Sequence, residues 1–215
     1  MSLVLQTLIK CMRHLTYGLK SAYEELSIFT MGKCKTIHVG HHKLTILDTF
    51  MTQQDLTELN RTIAQANISR GEADSPATRH IRQWKADIDP KQFHNMKIAK
   101  KIYAAINEFT TSGPLKLKRT YVNFISYGDQ VFTHRDSPKE TNDTTFLVFA
   151  NPVWKPAWAG ETLFFDAKND AVAAVTPRPG RALVFDSALL HRAGVPSRVC
   201  FPERRTFVCK FASEK

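Results

Sequence analysis

The sequence lacks the patterns that define several common classes of protein. Its four cysteines form no CxxC pair and no framework spacing, which argues against a zinc ribbon or a disulfide scaffold and favours a reducing compartment. No glycine-rich phosphate loop and no GxSxG motif are present, so nucleotide binding of that kind and serine hydrolysis have no support. No internal repeat, heptad run or low-complexity tract is visible. We therefore expect 215 residues of this composition to form a single folded domain.

Acidic residues are fewer than basic ones. The chain has 20 Asp plus Glu against 30 Lys plus Arg, for a formal net charge of +10. Such a surface favours anions of any kind, whether nucleic acid, an acidic membrane or an anionic metabolite. A solvated basic surface without a dedicated partner explains the charge equally well. Charge alone therefore does not select a function, and the sequence does not indicate an oligomeric state.

The first 23 residues contain no acid, and their apolar residues are close to helical spacing. The uncharged opening is too short to cross a bilayer, so no transmembrane segment is predicted. An amphipathic helix packed on the core and a basic organellar transit signal both fit this composition, and we favour the helix. We predict an N-terminal extension over residues 1–42 and a cytoplasmic location. A natural start at Met31 is an alternative.

Helical patterns come first along the rest of the chain. Residues 43–47 alternate weakly as a strand, and Thr52-x-x-Asp55 is a capping box at the start of a helix. The polar residues 69–78 predict a mobile loop, and the apolar spacing over residues 93–109 predicts a second helix. Both helices have one apolar face, which we expect to pack on the core.

After Pro114 the sequence changes to short apolar runs between turn residues: TYVNFIS, QVFTH, TTFLVFA, ETLFF, AVAAV, ALVF and RTFVCKF. Strands of this length at close spacing favour a sandwich or jelly roll. Since the helices precede the strands, they should pack against one face of the sheet. The predicted fold class is mostly β with flanking helices.

A metal-binding pattern ends the run QVFTH. His134 and Asp136 are two residues apart in an extended segment, so their side chains point the same way. A second imidazole from a late strand would complete a facial triad of two His and one carboxylate, which leaves positions on ferrous iron open for oxygen chemistry. His191, just after ALVF, is the candidate. The pair alone is better explained by a structural histidine at a strand end, and its position in the chain supplies the weight for a metal site. The other six histidines, all within the first 100 residues, are predicted to be surface or loop residues.

A candidate anion site opens the last strand. The guanidinium of Arg204 suits a bidentate carboxylate, and Thr206 shares its face and could donate a hydrogen bond to the same anion. Arg205 is the rival. Alternation puts it on the opposite face, with the apolar neighbours of RTFVCKF, where an unpaired cation would be costly unless it sits at the strand edge. We favour Arg204.

Six pieces, in this order, resemble the catalytic core of the prolyl-4-hydroxylase-like branch of Fe(II)- and 2-oxoglutarate-dependent dioxygenases: YGDQVFTHRD, TTFLVFANPVW, AGETLFF, PRPGRALVFD, LLHRAGVPS and ERRTFVCKF. The resemblance implies iron ligation by His134, Asp136 and His191. It implies that Arg204 grips the distal carboxylate of 2-oxoglutarate, and it places Tyr127 in the cosubstrate pocket.

The resemblance also implies a double-stranded β-helix, a cupin-like jelly roll, with N-terminal helices packed on one sheet. The dioxygenase domain would cover residues 43–215, with its β-helix core at about 115–213. Fe(II), 2-oxoglutarate and O2 are the implied cofactors, with ascorbate as a stimulant. The implied reaction hydroxylates an unactivated C–H of an amino acid, peptidyl residue or small biosynthetic intermediate and releases succinate and CO2. Asn123 and Arg135 are candidates for contacts with this small-molecule or peptidyl substrate.

Two alternatives stay open. A nucleic-acid alkylation-repair demethylase shares the iron triad, and the net charge would suit its substrate, although AGETLFF and PRPGRALVFD look more like the prolyl-hydroxylase branch. A non-catalytic cupin-like binding module is the second alternative. Related halogenases replace the iron carboxylate with a small residue, so the presence of Asp136 predicts hydroxylation rather than halogenation.

Overall fold

Eleven strands and three α-helices form within residues 33–110 and 113–214, the ranges that the computed structural model describes. The strands are β1 (Cys34–Val39), β2 (His42–Leu47), β3 (Ile68–Glu72), β4 (Gln83–Ile88), β5 (Leu115–Ile125), β6 (Thr144–Phe149), β7 (Thr162–Phe165), β8 (Ala171–Val175), β9 (Ala182–Asp186), β10 (His191–Ala193) and β11 (Arg204–Ser213). The helices are α1 (Gln53–Gln65), α2 (Pro90–Asn95) and α3 (Lys97–Phe109), and short 3-10 helices span Pro76–Thr78 and Pro156–Trp158.

The strands are arranged in two antiparallel sheets. The major sheet has eight strands in the order β1-β2-β9-β6-β11-β5-β4-β3, and the minor sheet has three in the order β10-β7-β8. The last strand, β11, lies in the middle of the major sheet, where Thr206 is opposite Asn123 of β5 and Phe149 of β6. Strands from both ends of the described region therefore meet in the same sheet.

The core between the sheets is apolar. Phe164 of the minor sheet packs edge-on against Phe185 of the major sheet, with ring centroids 5.2 Å apart. Tyr121, Leu147 and Val208 belong to the same buried cluster. Two facing antiparallel sheets around one core form the jelly roll that the sequence predicts.

The helices cover the other face of the major sheet. Phe93 of α2 lies 6.1 Å from Phe207 of β11, and Tyr103 of α3 lies 5.6 Å from Phe211, both between ring centroids. The fold-class prediction, a mostly β domain with helices packed on one sheet, is thus confirmed.

Helix α1 starts where the sequence predicts it. The hydroxyl of Thr52 accepts from the Asp55 N–H at 3.1 Å, while the Asp55 carboxylate accepts from the Thr52 N–H at 2.9 Å. This reciprocal capping box satisfies amides that have no partner inside the helix. The apolar face of the helix is buried, as its spacing requires: Leu56, Leu59 and Ile63.

The structure corrects four predictions about local elements. Residues 69–78, predicted as a loop, include most of edge strand β3, which pairs with β4, and a 3-10 turn. The second predicted helix is two helices, because the chain becomes extended at Met96. The run QVFTH forms no strand and contributes only the isolated bridge of His134 with His191.

The fourth correction concerns residues 33–42 of the predicted N-terminal extension. They carry β1 and the start of β2 instead of a helix, and so belong to the major sheet. The helix predicted further towards the N-terminus lies outside the described residues. Within the described ranges, no helix is both long enough and apolar enough to span a membrane.

Candidate metal and cosubstrate centre

Backbone pairing brings the three predicted metal ligands together. His134 and His191 form an antiparallel bridge, in which each N–H donates to the other residue's carbonyl, at 2.9 and 3.0 Å. Asp136 is anchored two residues on, where its N–H donates to the carbonyl of Ser187 at 2.8 Å. The segment after β5 is thus held against the start of β10 although it forms no strand itself.

The side chains of this triad converge on one point. One donor atom from each of His134, Asp136 and His191 lies within 4.8 Å of the other two. The Asp136 Oδ1 atom is 3.4 Å from Nε2 of His134 and 3.8 Å from Nε2 of His191. Two imidazoles and one carboxylate are the donor set of non-haem ferrous oxygenases, and their spacing here suits a single ion.

Hydrogen bonds orient both imidazoles. Nδ1 of His134 lies 3.0 Å from the carbonyl of Phe132, and Nδ1 of His191 lies 2.9 Å from the carbonyl of Leu189. A carbonyl only accepts, so each Nδ1 carries a proton, and in the neutral form of each ring Nε2 keeps its lone pair. Both lone pairs are then available to a metal.

The electrostatics favour a charged carboxylate between these rings. Burial acts to raise the pKa of Asp136, but the charges of His191 and Lys210 outweigh it and hold that pKa well below its usual range. Lys210 donates to Oδ1 at 3.0 Å and Thr145 donates to Oδ2 at 2.6 Å. Burial lowers the pKa of His191 to about 4, so this imidazole is neutral near pH 7. A charged carboxylate and a neutral imidazole are the forms that bind metal.

Asp74 contacts the segment that carries His134, on the Nδ1 side of its ring. Its Oδ2 accepts from the Phe132 N–H at 2.7 Å and from the Gln83 amide at 2.9 Å, while Oδ1 lies 3.5 Å from Nδ1 of His134. Asp74 therefore fixes the segment that carries the first histidine. Asp74 lies in the connection predicted as a loop, and no local motif in the sequence marks it as part of a site.

Arg204 is a buried cation with one unused donor. Only 1% of it is exposed, and its Nη1 atom has no partner among the described residues. Its Nε donates to the carbonyl of Gly160 at 2.8 Å and its Nη2 to the hydroxyl of Thr162 at 2.7 Å. Burial lowers the pKa of this guanidinium to about 10, which leaves it charged at neutral pH. A fixed, desolvated guanidinium with a free donor is an anion site.

Gly160 is required for this arrangement. Its φ is +84°, and a Cβ added there would lie 3.2 Å from Cδ of Arg204 and 3.1 Å from the Trp154 ring. A larger residue would be strained in its backbone and would displace the arginine.

Arg205, the alternative cosubstrate ligand, has a different environment. Its Nε donates to Glu203 at 2.8 Å and its Nη1 to Asn60 at 3.0 Å, on the helix side of the sheet. It is half-buried near the start of β11, a central strand of the major sheet, so the edge position expected for it is wrong. Its charge is paired with Glu203 instead. Thr206 is buried on the same face as Arg204.

One cavity of about 470 Å³ contains this centre. Its walls include the triad, Arg204, Thr206 and both predicted substrate residues, Asn123 and Arg135. The buried Oδ1 of Asn123 has no partner among the described residues, while Arg135 donates to the carbonyl of Ala188. Both side chains therefore occupy the region where the sequence analysis expected substrate.

Tyr127 is elsewhere, which corrects its assignment to the cosubstrate pocket. It is 61% exposed in the turn after β5 and does not line the cavity. Tyr121 lines the cavity instead, fully buried beside Lys210, whose Nζ is 5.6 Å from the ring centroid. Alternation along β5 would have indicated Tyr121, since it lies two residues before Asn123 and faces the same way.

Comparison with known proteins agrees with this centre. Residues 122–211 match the family model described as the 2OG-Fe(II) oxygenase superfamily. The matched region carries the triad, Arg204 and part of the strands that line the cavity, whereas β3, β4 and the first part of β5 precede it. Over residues 122–211, about two fifths of the chain, the sequence is similar to the 2OG-Fe(II) oxygenase superfamily. This match and the triad support an oxidoreductase with Fe(II) and 2-oxoglutarate as cofactors.

Solved structures share the fold at low sequence identity. A prolyl-4-hydroxylase from Pseudomonas putida is 17% identical, with a TM-score of 0.59 over 81% of this chain and 95% of that one. HygX from Streptomyces hygroscopicus, solved with nickel and 2-oxoglutarate, is 12% identical, with a TM-score of 0.60 over 88% and 86%.

A prolyl hydroxylase from Trichoplax adhaerens, solved with a peptide fragment of hypoxia inducible factor, is 15% identical, with a TM-score of 0.57 over 79% and 83% of the two chains. At these identities the likeness concerns the fold alone. No curated protein matches the sequence.

Proposed function

We propose that the chain hydroxylates an unactivated C–H of a small molecule or a peptidyl residue, with iron bound by His134, Asp136 and His191 and 2-oxoglutarate bound by Arg204 and Thr206. One observation carries the proposal: a triad with two free imidazole lone pairs shares a cavity with a buried guanidinium that has an unused donor. A metal and a dicarboxylate would together satisfy both.

When bound, the iron and 2-oxoglutarate supply the activation of O2 and the oxidising power, with loss of succinate and CO2. The protein holds and orients these groups. Thr145 and Lys210 hold the Asp136 carboxylate from both oxygens, and Asp74 holds the backbone before His134. These contacts favour one ligand geometry before any metal binds.

The cavity also controls water and orientation. Apolar side chains of the two sheets line part of its wall: Leu147, Phe185 and Val208. They reduce the room for water near the oxidised carbon and lower the local dielectric, which strengthens the polar contacts. Asn123 and Arg135, which also line the cavity, would orient the substrate.

The carboxylate of Asp136 favours hydroxylation over halogenation, because a halide would need the position that this carboxylate occupies. The peptide in the Trichoplax adhaerens structure makes a peptidyl substrate one candidate, and a cavity of about 470 Å³ also suits a small molecule. The family match and these neighbours do not favour the alternative of nucleic-acid demethylation.

Anaerobic spectroscopy tests the ligand assignment. Wild-type protein with Fe(II) and 2-oxoglutarate should show a weak visible charge-transfer band, and admission of O2 should release succinate. His134→Ala and Asp136→Ala should lose both, because each removes a ligand. The exposed His80 offers a matched control, and His80→Ala should keep both. A band that survives in the two ligand variants would refute the assignment.

A further inference from the structure

The walls of the catalytic cavity carry more positive than negative charge. Five cationic side chains line the cavity: Arg79, Arg119, Arg135, Arg204 and Lys210. Three carboxylates line it as well: Glu72, Asp74 and Asp136. The excess is two positive charges. Under the proposed function, on which this inference rests, Fe(II) and 2-oxoglutarate bring opposite and equal charges. The loaded cavity would therefore keep the excess.

Three of the five cations already have a role. Arg119 donates to both oxygens of Glu72, at 3.2 and 2.8 Å, and also to Asp87 at 2.8 Å. Lys210 pairs with Asp136 at 3.0 Å. Arg204 is the proposed cosubstrate ligand. Each of these three cations therefore has a partner in the protein or in 2-oxoglutarate. The third carboxylate, Asp74, accepts from the Phe132 N–H and the Gln83 amide and forms an ion pair with none of the five cations in the described part of the chain.

The other two, Arg79 and Arg135, are not compensated. In the described part of the chain neither forms an ion pair, and the guanidinium of Arg79 makes no hydrogen bond. Arg135 donates only to the neutral carbonyl of Ala188. Arg79 follows the 3-10 turn Pro76–Thr78, in the connection that also supplies Asp74, and its side chain is exposed at the cavity. Arg135 lies between two of the proposed iron ligands in the chain.

We propose that Arg79 and Arg135 bind an anionic group of the substrate, a carboxylate or a phosphate, and so select anionic molecules for oxidation. Planar guanidinium groups bind both kinds of oxyanion through paired N–H donors. An anion at this position would offset the excess positive charge of the cavity and would pair with two cations that have no carboxylate partner in the described ranges. Neutral substrates of the same shape would leave it unbalanced.

Arginine side-chain NMR tests this without a known substrate. Protein loaded with diamagnetic Zn(II) and 2-oxoglutarate is titrated with acetate, inorganic phosphate or neutral acetamide at matched ionic strength, and the Nε–H resonances are followed. Resonances are assigned by their loss in Arg79→Gln, Arg135→Gln and Arg61→Gln. Arg61 lies on the exposed face of α1, outside the cavity, and serves as the matched control.

We expect saturable shifts of the Arg79 and Arg135 resonances with acetate or phosphate, none with acetamide, and none at Arg61. The tighter anion identifies the substrate group as a carboxylate or a phosphate. Arg79→Gln should weaken the binding measured at Arg135 about tenfold, as expected for the loss of a charged hydrogen bond. Linear shifts that are equal at Arg61 would overturn the proposal.

The outcome separates this inference from the proposed function. Binding of 2-oxoglutarate is followed independently by the shift of the Arg204 resonance before any anion is added. If 2-oxoglutarate binds but neither anion shifts Arg79, only the substrate inference fails. If the anions shift Arg79 but 2-oxoglutarate does not shift Arg204, the proposed cosubstrate site fails and the anion site stands.

Discussion

The two faces of strand β11 contribute to different parts of the protein, one to the cavity and the other to packing against the helices. Their residues alternate along the same ten positions. The inner face carries the polar residues Arg204, Thr206 and Lys210 into the cavity. The outer face carries Phe207 and Phe211 against the helices. A side chain on the inner face can keep an unused donor for a ligand because the outer face contributes the packing that holds the strand in place.

The largest expected effect is on the outer face. Phe207 is fully buried against α2, so Phe207→Ala should lower the free energy of unfolding by about 3–5 kcal/mol through lost burial and the cavity left behind. Urea unfolding measures it. Phe201 is fully exposed, and Phe201→Ala should stay within about 0.5 kcal/mol of wild type. Similar small losses in both variants would contradict the division between the faces.

The inner face should affect ligand binding instead. We expect Arg204→Gln to raise the dissociation constant for 2-oxoglutarate about 10- to 100-fold, because charged hydrogen bonds to its carboxylate are lost. Titration of the anaerobic charge-transfer band provides the measurement. The guanidinium of Arg205 faces Glu203 and Asn60. Arg205→Gln should therefore change the dissociation constant for 2-oxoglutarate less than about threefold. The reverse order would transfer the cosubstrate role to Arg205.

The smallest expected effect concerns the helices over the outer face and depends on pH. Burial acts to raise the pKa of Asp55, but bonds from Lys101 and Thr52 outweigh it and lower that pKa. A lowered folded pKa means stability that is present above the unfolded value of 3.8 and is lost as pH falls through the folded pKa. Asp55→Asn should therefore cost about 1 kcal/mol at pH 6 and less at pH 3.5. Urea unfolding at both pH values measures the difference in the free energy of unfolding between wild type and Asp55→Asn. A difference that is the same at both pH values would show that the charge of Asp55 does not contribute.

Much of the centre could be predicted because its patterns are local. Alternation assigns Arg204 and Thr206 to one face and Arg205 to the other, and the spacing of His134 and Asp136 aligns their side chains. Alternation also explains why Asn123 reaches the cavity, since it is opposite Thr206 in the pairing of β5 with β11.

The errors arose where pairing between distant segments overrides local preference. Residues 69–78 are rich in small and polar residues, yet most of β3 lies there because β4 offers a partner strand. The run QVFTH has strand-forming residues, yet it makes only the bridge of His134 with His191. Tyr127 precedes a glycine turn that carries it out to solvent, and no local pattern reports that direction.

Residue types and their periodicity were sufficient to predict the class of fold. They were also sufficient to propose the three side chains that converge in the cavity and the face that Arg204 shares with Thr206, because each depends on donor chemistry or on the two-residue repeat of a strand. Only the tertiary structure shows that Asp74 supports His134 and that, among the described residues, Arg204 keeps a free donor and Arg79 and Arg135 have no carboxylate partner. Those properties depend on which distant groups come within a few ångströms and exclude water, and such distances are set by the packing of the whole domain.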